Sequence, residues 1–569
     1  MDIQSFLIVI TLLNFISCKD DANINSEPSQ EKVIYDEVSV PPTINEIDES
    51  NYNVLYVDNS SGNDNNTGVS ENTPIKTLNK AAIIARNSNT KILLKSGEIF
   101  KGPFLLSSLS STQGSPLIID SYGGDIRPTI DGEGLDAAVD IQDDNIRFRN
   151  IRIINKNGKR GISITTKVAG AFRNIQITGC RIEDVNWLGT DVLLETPKDL
   201  NINNVCPNAR FVYNNAGISL EANTSAGVGP SWFENIFITN NEIHKVSRTG
   251  IWLNTQWGKR PGLDWGSNNY ISDDEGWYPA KNVVVQGNNI SYTGGDAVVL
   301  IATKNSFIDH NKVYHANYLG RTGYYNAGIW PHSSVNFTMQ YNEVAYTHLE
   351  NGGGDGEGMD VDIACVNTLV QFNYVHHNDG GGLLICNNKS SDGQIGNHRG
   401  TIVRNNVFYD NGNNFEKGAF LTTSSAVKDV SVYNNLVIAS DRLSDLKFVL
   451  SADWANVGMS ENFTFKNNIF VGTKPVRSQF DIAQIINCKF ENNLIYQVGS
   501  QSIINDRRQL NYDPLVNIPN AFDGYEKGLS FKPQEPKIFI GGLVFSGMSY
   551  EDIGGNIVGG VNYLGPFSK

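Results

Sequence analysis

A six-residue unit recurs through the middle of this chain and restricts the fold more than any other feature. Its copies are Gly161-Ile-Ser-Ile-Thr-Thr, Gly217-Ile-Ser-Leu-Glu-Ala, Gly250-Ile-Trp-Leu-Asn-Thr, Ala297-Val-Val-Leu-Ile-Ala, Gly328-Ile-Trp-Pro-His-Ser, Gly358-Met-Asp-Val-Asp-Ile and Gly382-Leu-Leu-Ile-Cys-Asn. The second and fourth positions are mostly apolar, while the third and fifth vary. That alternation is the signature of a strand with one buried face. In one copy only, both variable positions are carboxylates, Asp360 and Asp362.

A second motif keeps step with the first. Asn precedes an aliphatic residue at Asn241-Glu-Ile, Asn288-Asn-Ile, Asn311-Lys-Val, Asn342-Glu-Val, Asn373-Tyr-Val, Asn405-Asn-Val, Asn434-Asn-Leu, Asn467-Asn-Ile and Asn492-Asn-Leu. Most gaps run from 23 to 33 residues. This is the length of one coil of three short strands and three turns, and such periods denote solenoids. Asn tolerates the left-handed backbone of a tight turn, and stacked Asn side chains can hydrogen-bond from coil to coil. A propeller needs a longer period, and a leucine-rich repeat needs Leu at fixed offsets with a helix per unit. The pattern therefore predicts an all-β, right-handed parallel β-helix, its hand following from the crossover preference.

The chain has 569 residues, is 40% hydrophobic and carries a net charge of −15. The acidity argues against nucleic-acid binding. Phe6 to Phe15 form an apolar run too short to span a bilayer. It ends at Phe15-Ile-Ser-Cys18, which resembles a bacterial lipobox, although Asp2 stands where a basic residue is usual. Lys19-Asp-Asp21 then resembles the surface-export signal of Bacteroidetes-type lipoproteins. The resemblance implies a signal peptide over 1–17, lipidation of Cys18 and a monomer anchored at the outer membrane, exposed on the cell surface. Residues 18–50, polar and aperiodic, read as a flexible tether. The β-helix is expected over 51–500, opening on a strand at Asn53–Val57 and a covering helix near 77–86. Residues 501–569 are expected to form a C-terminal cap. Five further cysteines (Cys180, Cys206, Cys365, Cys386 and Cys488) lack a CxxC pair, which speaks against a metal cluster or disulfide framework.

In parallel coils, equivalent positions stack about 4.8 Å apart and alternate side chains face out. The third positions then form one outward column: Ser163, Ser219, Trp252, Val299, Trp330, Asp360, Leu384. The fifth form another: Thr165, Glu221, Asn254, Ile301, His332, Asp362, Cys386. Trp252 and Trp330 suit stacking on sugar rings, with Asn254, Glu221 and His332 binding hydroxyls. The alternative is that the insertion 256–280, with Trp257, Trp265 and Trp277, covers both indoles. Asp360 and Asp362 share one face, and like charges that close raise the pKa of at least one. This gives the donor and charged partner that glycoside hydrolysis requires. Glu357, Asp355 and Asp379 lie nearby in sequence. The turns before the outward strands add Arg248, Arg321, His376 and His377 as substrate-binding candidates. The acidic, Gly-rich stretch 352–358 could instead bind Ca²⁺ through oxygen ligands; no other cofactor is expected.

The stretch Asp355 to Cys386, with Glu357-Gly-Met-Asp-Val-Asp362 and Val370-Gln-Phe-Asn-Tyr-Val-His-His-Asn-Asp379, resembles a segment of β-helix proteins from polysaccharide-degrading bacteria. That superfamily holds pectate lyases, polygalacturonase-like hydrolases, alginate and chondroitin lyases, and epimerases. The resemblance implies a glycan substrate and leaves the reaction open. The outward columns lack Lys and Arg, and no Asn-Gly-x-Glu-x-Ile-Arg motif of the lyases is present. The Asn-Thr-Asp and Gly-His-Gly motifs of the polygalacturonases are missing too. The acidic rung favours a glycoside hydrolase in which Asp360 and Asp362 are acid and base, Glu357 or Asp379 assists and His332 tunes protonation. A polysaccharide lyase using Arg248, Arg321 or His376, and a non-catalytic glycan binder, remain the alternatives.

Overall fold

A computed structural model describes residues 35–36, 39–87, 89–187, 213–222, 229–257, 277–318, 325–349, 354–389, 393–412, 418–439, 447–476, 479–498, 504–558 and 561–568. Residues 1–17, Cys18, Cys206, Trp265 and Arg321 lie outside them.

Each coil contributes one strand to each of three sheets, as in Arg152–Asn155, Arg160–Thr165 and Gly170–Thr178. In that order the first, second and third sheets hold 13, 12 and 15 strands, and every registered strand pair is parallel. The chain is a right-handed parallel β-helix. One apolar core runs inside it from Leu55 to Val498. The expected covering helix forms at Leu78–Ile84, with Thr77 Oγ1 accepting the Lys80 N–H at 3.2 Å and Leu78 and Ala81 buried in the first coils.

The glycines that open the repeat sit where the first sheet turns into the second. A Cβ on Gly328 would lie 2.3 Å from the Gly358 carbonyl oxygen and 2.6 Å from Val344 Cγ1. A side chain there would force the two sheets apart, which explains the recurrent glycine without a special φ.

The asparagines form an internal ladder. From Asn241 through Asn288, Asn311, Asn342, Asn373, Asn406, Asn435 and Asn468 to Asn493, each Nδ2 donates to the next Oδ1 at 2.9–3.0 Å. Asp506 Oδ2 ends it, accepting from Asn493 at 3.0 Å. In the last four coils the second Asn of each pair holds the ladder position, one residue later than the motif suggests. The reason is visible in the register: Tyr374, Val407, Leu436, Ile469 and Leu494 occupy one outward column, and all are apolar or aromatic because another segment covers them.

That segment is the C-terminal region. It does not simply cap the open end. Bridges at Phe490–Asp506 and Leu494–Leu510 complete a last coil, after which the chain doubles back over the first sheet. Gly565 N–H donates to the Asn467 carbonyl at 2.8 Å, Tyr525 Oη to the Phe372 carbonyl at 2.6 Å, and Gly524 N–H to Glu343 Oε1 at 2.6 Å. Phe531, Ile538, Ile553, Leu564 and Phe567 bury the apolar column beneath.

The tether reading of 18–50 also needs correction over its described part. Tyr35–Asp36 pair in parallel with Met548–Ser549. The Ser39 carbonyl accepts from Gln340 Nε2 at 2.9 Å, the Asn45 carbonyl accepts from Arg147, and Glu49 bridges Lys91 at 2.7 Å and Arg149 at 2.8 Å. These partners lie on the third sheet, so residues 39–50 are strapped along it. The two terminal straps cover parts of the first and third sheets, and neither contacts described above falls on the second.

Candidate active site

The second sheet carries the two outward columns as the repeat predicts. Ser163, Ser219, Trp252, Val299 and Trp330 are register partners in turn, as are Thr165, Glu221, Asn254, Ile301 and His332. The Ile329–Met359 and Asp360–Leu384 pairings continue them through the acidic rung, and Asp362 N–H donates to the Pro331 carbonyl at 3.1 Å.

The tryptophans are not open platforms. Trp252 is 6% exposed and Trp330 7%. Tyr213 stacks on Trp252, with ring centroids 5.1 Å apart and planes at 19°, and meets Trp330 edge-on at 6.2 Å. The indole N–H groups are committed as well: Trp252 Nε1 donates to Glu221 Oε1 at 2.9 Å and Trp330 Nε1 to Asp296 Oδ1 at 2.8 Å. The cover thus comes from Tyr213, while Trp257 is buried in the main core. Arg248 is buried too. Its Nη1 lies 2.7 Å from Asp296 Oδ2, and its guanidinium sits 4.3 Å from the Tyr213 ring centroid. A buried, neutralised Arg248 is structural support rather than a substrate ligand. Burial first, then the Asp296 charge, pushes the Tyr213 phenol up to about 12, so it stays protonated. Tyr213 and Asp296 escaped the sequence reading. Asp296, immediately before Ala297 in the repeat, was the more detectable of the two.

Around the acidic rung, Asp360 is 5% exposed, whereas Asp362 is half-buried. His332, one coil below Asp362, is buried; its Nδ1 lies 2.8 Å from Ser333 Oγ, and burial lowers its pKa against the opposing pull of Asp362. Cys386, one coil above, has Sγ 3.1 Å from Asp362 Oδ1. Asp355, half-buried and left-handed at φ 65°, enters from the short strand Gly354–Asp355 paired with Tyr325–Asn326. The charges of Asp362, Asp360 and Asp355 all act on the Cys386 thiol. Asn254 remains half-buried two coils beneath His332.

Four sequence candidates stand elsewhere. Glu357 is fully buried, with both carboxylate oxygens sealed from solvent. Asp379 accepts the Leu349 N–H at 3.2 Å and faces His348 at 3.8 Å, in the turn between the first and second sheets. His376 is buried on the first sheet with Nε2 3.2 Å from Glu343 Oε1. His377 lies 3.4 Å from Asp410 and packs at 4.8 Å on the Phe522 ring of the C-terminal strap. For Asp379, His376 and His377, being adjacent in sequence to an outward strand did not bring the side chain onto the outward face, because the corner between the sheets intervenes; Glu357 opens the second-sheet strand itself, with its side chain buried.

Ligand atoms of Asp360, Asp362 and Cys386 lie within 4.8 Å of one another. A thiol in that set does not suit Ca²⁺, which takes oxygen ligands.

These features define a right-handed parallel β-helix with a carboxylate cluster on the second sheet. No family model matches the chain. It is 26% identical over 404 residues to a lacto-N-biosidase of Bifidobacterium longum subsp. longum, a match that takes in 58% of this chain and 25% of the relative. The chain therefore spans about a quarter of that relative's length. Among solved structures, a GH136 lacto-N-biosidase from Eubacterium ramulus aligns at a TM-score of 0.49 and 19% identity, over 72% of this chain and 67% of its own. A mannuronan C-5 epimerase A-module from Azotobacter vinelandii aligns at 0.43 and 14%, over 76% and 93%.

Proposed function

We propose that this chain is a glycoside hydrolase acting on an oligosaccharide, with Asp362 as one of its two working carboxylates. The observation that carries the reading is the carboxylate pair on one rung, Asp360 and Asp362, whose ligand atoms lie within 4.8 Å of each other and of Cys386 Sγ, with Asp355 on the short strand that leads into it and Arg248 held in a buried ion pair. A β-elimination needs a cation or base at the uronate carboxyl. Of the lyase candidates among the described residues, Arg248 is committed to Asp296 and His376 stands on another sheet, which favours hydrolysis over the lyase alternative; Arg321 lies outside the described residues. The sequence similarity to a lacto-N-biosidase supports the same class and directs the first substrate trials toward glycans that such an enzyme cleaves.

A carboxyl that protonates a leaving oxygen or activates water must reach the sugar. Asp362 and Asp355 have partial solvent access, while Asp360 is nearly sealed. Asp355 is thus the better partner for Asp362. Asp360, nearly sealed beside them, is the structural neighbour of the pair rather than a group that meets the sugar. Anchorage through Cys18 belongs to the same reading, since a tethered enzyme would act on glycans at the cell surface; a lipid label lost in Cys18→Ala tests it. The reaction is tested by incubating the protein with neutral and uronate-containing glycans. New reducing ends without the absorbance of an unsaturated uronate are expected. Appearance of that absorbance would make the chain a lyase, and retention without products would make it a binder.

A further inference from the structure

Cys386 stands directly above Asp362 in the fifth-position column, and the contact between them is specific. Its Sγ lies 3.1 Å from Asp362 Oδ1, and the same oxygen accepts the Ile363 N–H at 2.7 Å. Cys386 is itself held from behind. Its carbonyl oxygen lies 2.8 Å from His398 Nδ1, and His398 Nε2 lies 3.3 Å from Thr401 Oγ1. A carbonyl only accepts, so Nδ1 carries the His398 proton and Nε2 accepts from the Thr401 hydroxyl. Burial draws His398 down to about 4, which keeps the ring neutral and this arrangement fixed near neutral pH. The thiol is pushed well above its ordinary value, by burial first and then by the charges of Asp362, Asp360 and Asp355. It is therefore a protonated donor and a poor nucleophile.

We propose that Cys386 is a positioning residue for Asp362: its S–H and the Ile363 N–H together hold Oδ1, leaving Oδ2 as the oxygen presented to the substrate. This rests on the hydrolase reading above. A hydrogen bond donated to a carboxylate favours its ionised form. Asp362 is thereby assigned the step that needs a charged carboxylate, and its partner the step that needs a proton.

Two measurements test this. The first compares the pH profiles of kcat/KM for wild type, Cys386→Ala and Cys386→Ser on the glycan that wild type cleaves, with Asp362→Asn as reference. Cys386→Ala should move the acidic limb up by about half a unit to one unit and lower kcat about 3- to 10-fold with KM little changed. Cys386→Ser, which keeps a donor, should restore the limb. A wild-type limb in Cys386→Ala, or a serine variant as impaired as alanine, overturns the positioning role while the hydrolase reading stands. Full activity in Asp362→Asn overturns both. The second needs no substrate: the rate of Cys386 alkylation by iodoacetamide, mapped by mass spectrometry. It should rise at least about 3-fold in Asp362→Asn, because the charge that holds the thiol proton is gone. An unchanged rate contradicts the contact.

Discussion

His398 shows how one buried side chain ties the candidate site to pH. Its imidazole is drawn down to about 4 by burial, whereas an unfolded histidine titrates near 6.5. Between these values the unfolded chain binds a proton that the folded chain refuses. The contribution to stability is therefore complete above about 6.5 and is lost progressively as pH falls toward 4, on the order of 3 kcal/mol in all. Thermal unfolding should show the midpoint dropping across that window, and His398→Gln should flatten the drop; an equal slope in the variant would contradict the assignment. Among the carboxylates, Asp362→Asn and Asp355→Asn should each lower kcat/KM at least about 100-fold, the scale of a lost acid or base. Asp360→Asn should cost less and mainly displace the pH optimum, as befits a sealed neighbour. The acidic rung itself was legible in the sequence, because alternation in a strand assigns faces residue by residue. Tyr213 was not: its stacking on Trp252 joins the edge of an insertion to a strand 39 positions further on, a contact that no local period encodes.

At the scale of the element, the asparagine ladder is the clearest link between sequence and stability. Each ladder amide is buried and serves the coils on both sides. Asn406 Nδ2 donates to Asn435 Oδ1 at 2.9 Å and to the carbonyls of Val370 and Arg404, while its Oδ1 accepts from Asn373. Asn406→Ala would strand several of these groups at about 1–3 kcal/mol each. Asn405, its neighbour, sits at φ 55° and its side chain donates to Tyr563 Oη at 3.2 Å, so Asn405→Gly should be the milder change. Calorimetry of the two variants decides the register; the opposite order would return the ladder to the first asparagine of the pair. The period was readable because every coil repeats the same internal constraint. The one-residue offset was not, since Val407, Leu436, Ile469 and Leu494 turn outward only because a distant segment covers them.

For the whole molecule, the terminal straps separate stability from chemistry. Phe531 is fully buried against the first sheet, remote from the second-sheet carboxylates. Phe531→Ala should cost about 3–5 kcal/mol and leave kcat of the folded enzyme unchanged; a matching loss of kcat would mean that the strap reaches the site. The aperiodic ends gave no sign of this in sequence, because their positions follow from apolar columns on the coils and from single ion pairs such as Glu49 with Arg149. The central claim is that Asp362 of the second sheet, with a neighbouring carboxyl as its partner, delivers water to a glycosidic bond. Its most direct test is mass spectrometry of products formed in H₂¹⁸O by wild type and by Asp362→Asn. The account predicts one ¹⁸O at the new reducing end with wild type and no product above background with the variant. Unlabelled, dehydrated products from wild type, or labelled products formed equally fast by Asp362→Asn, would contradict it.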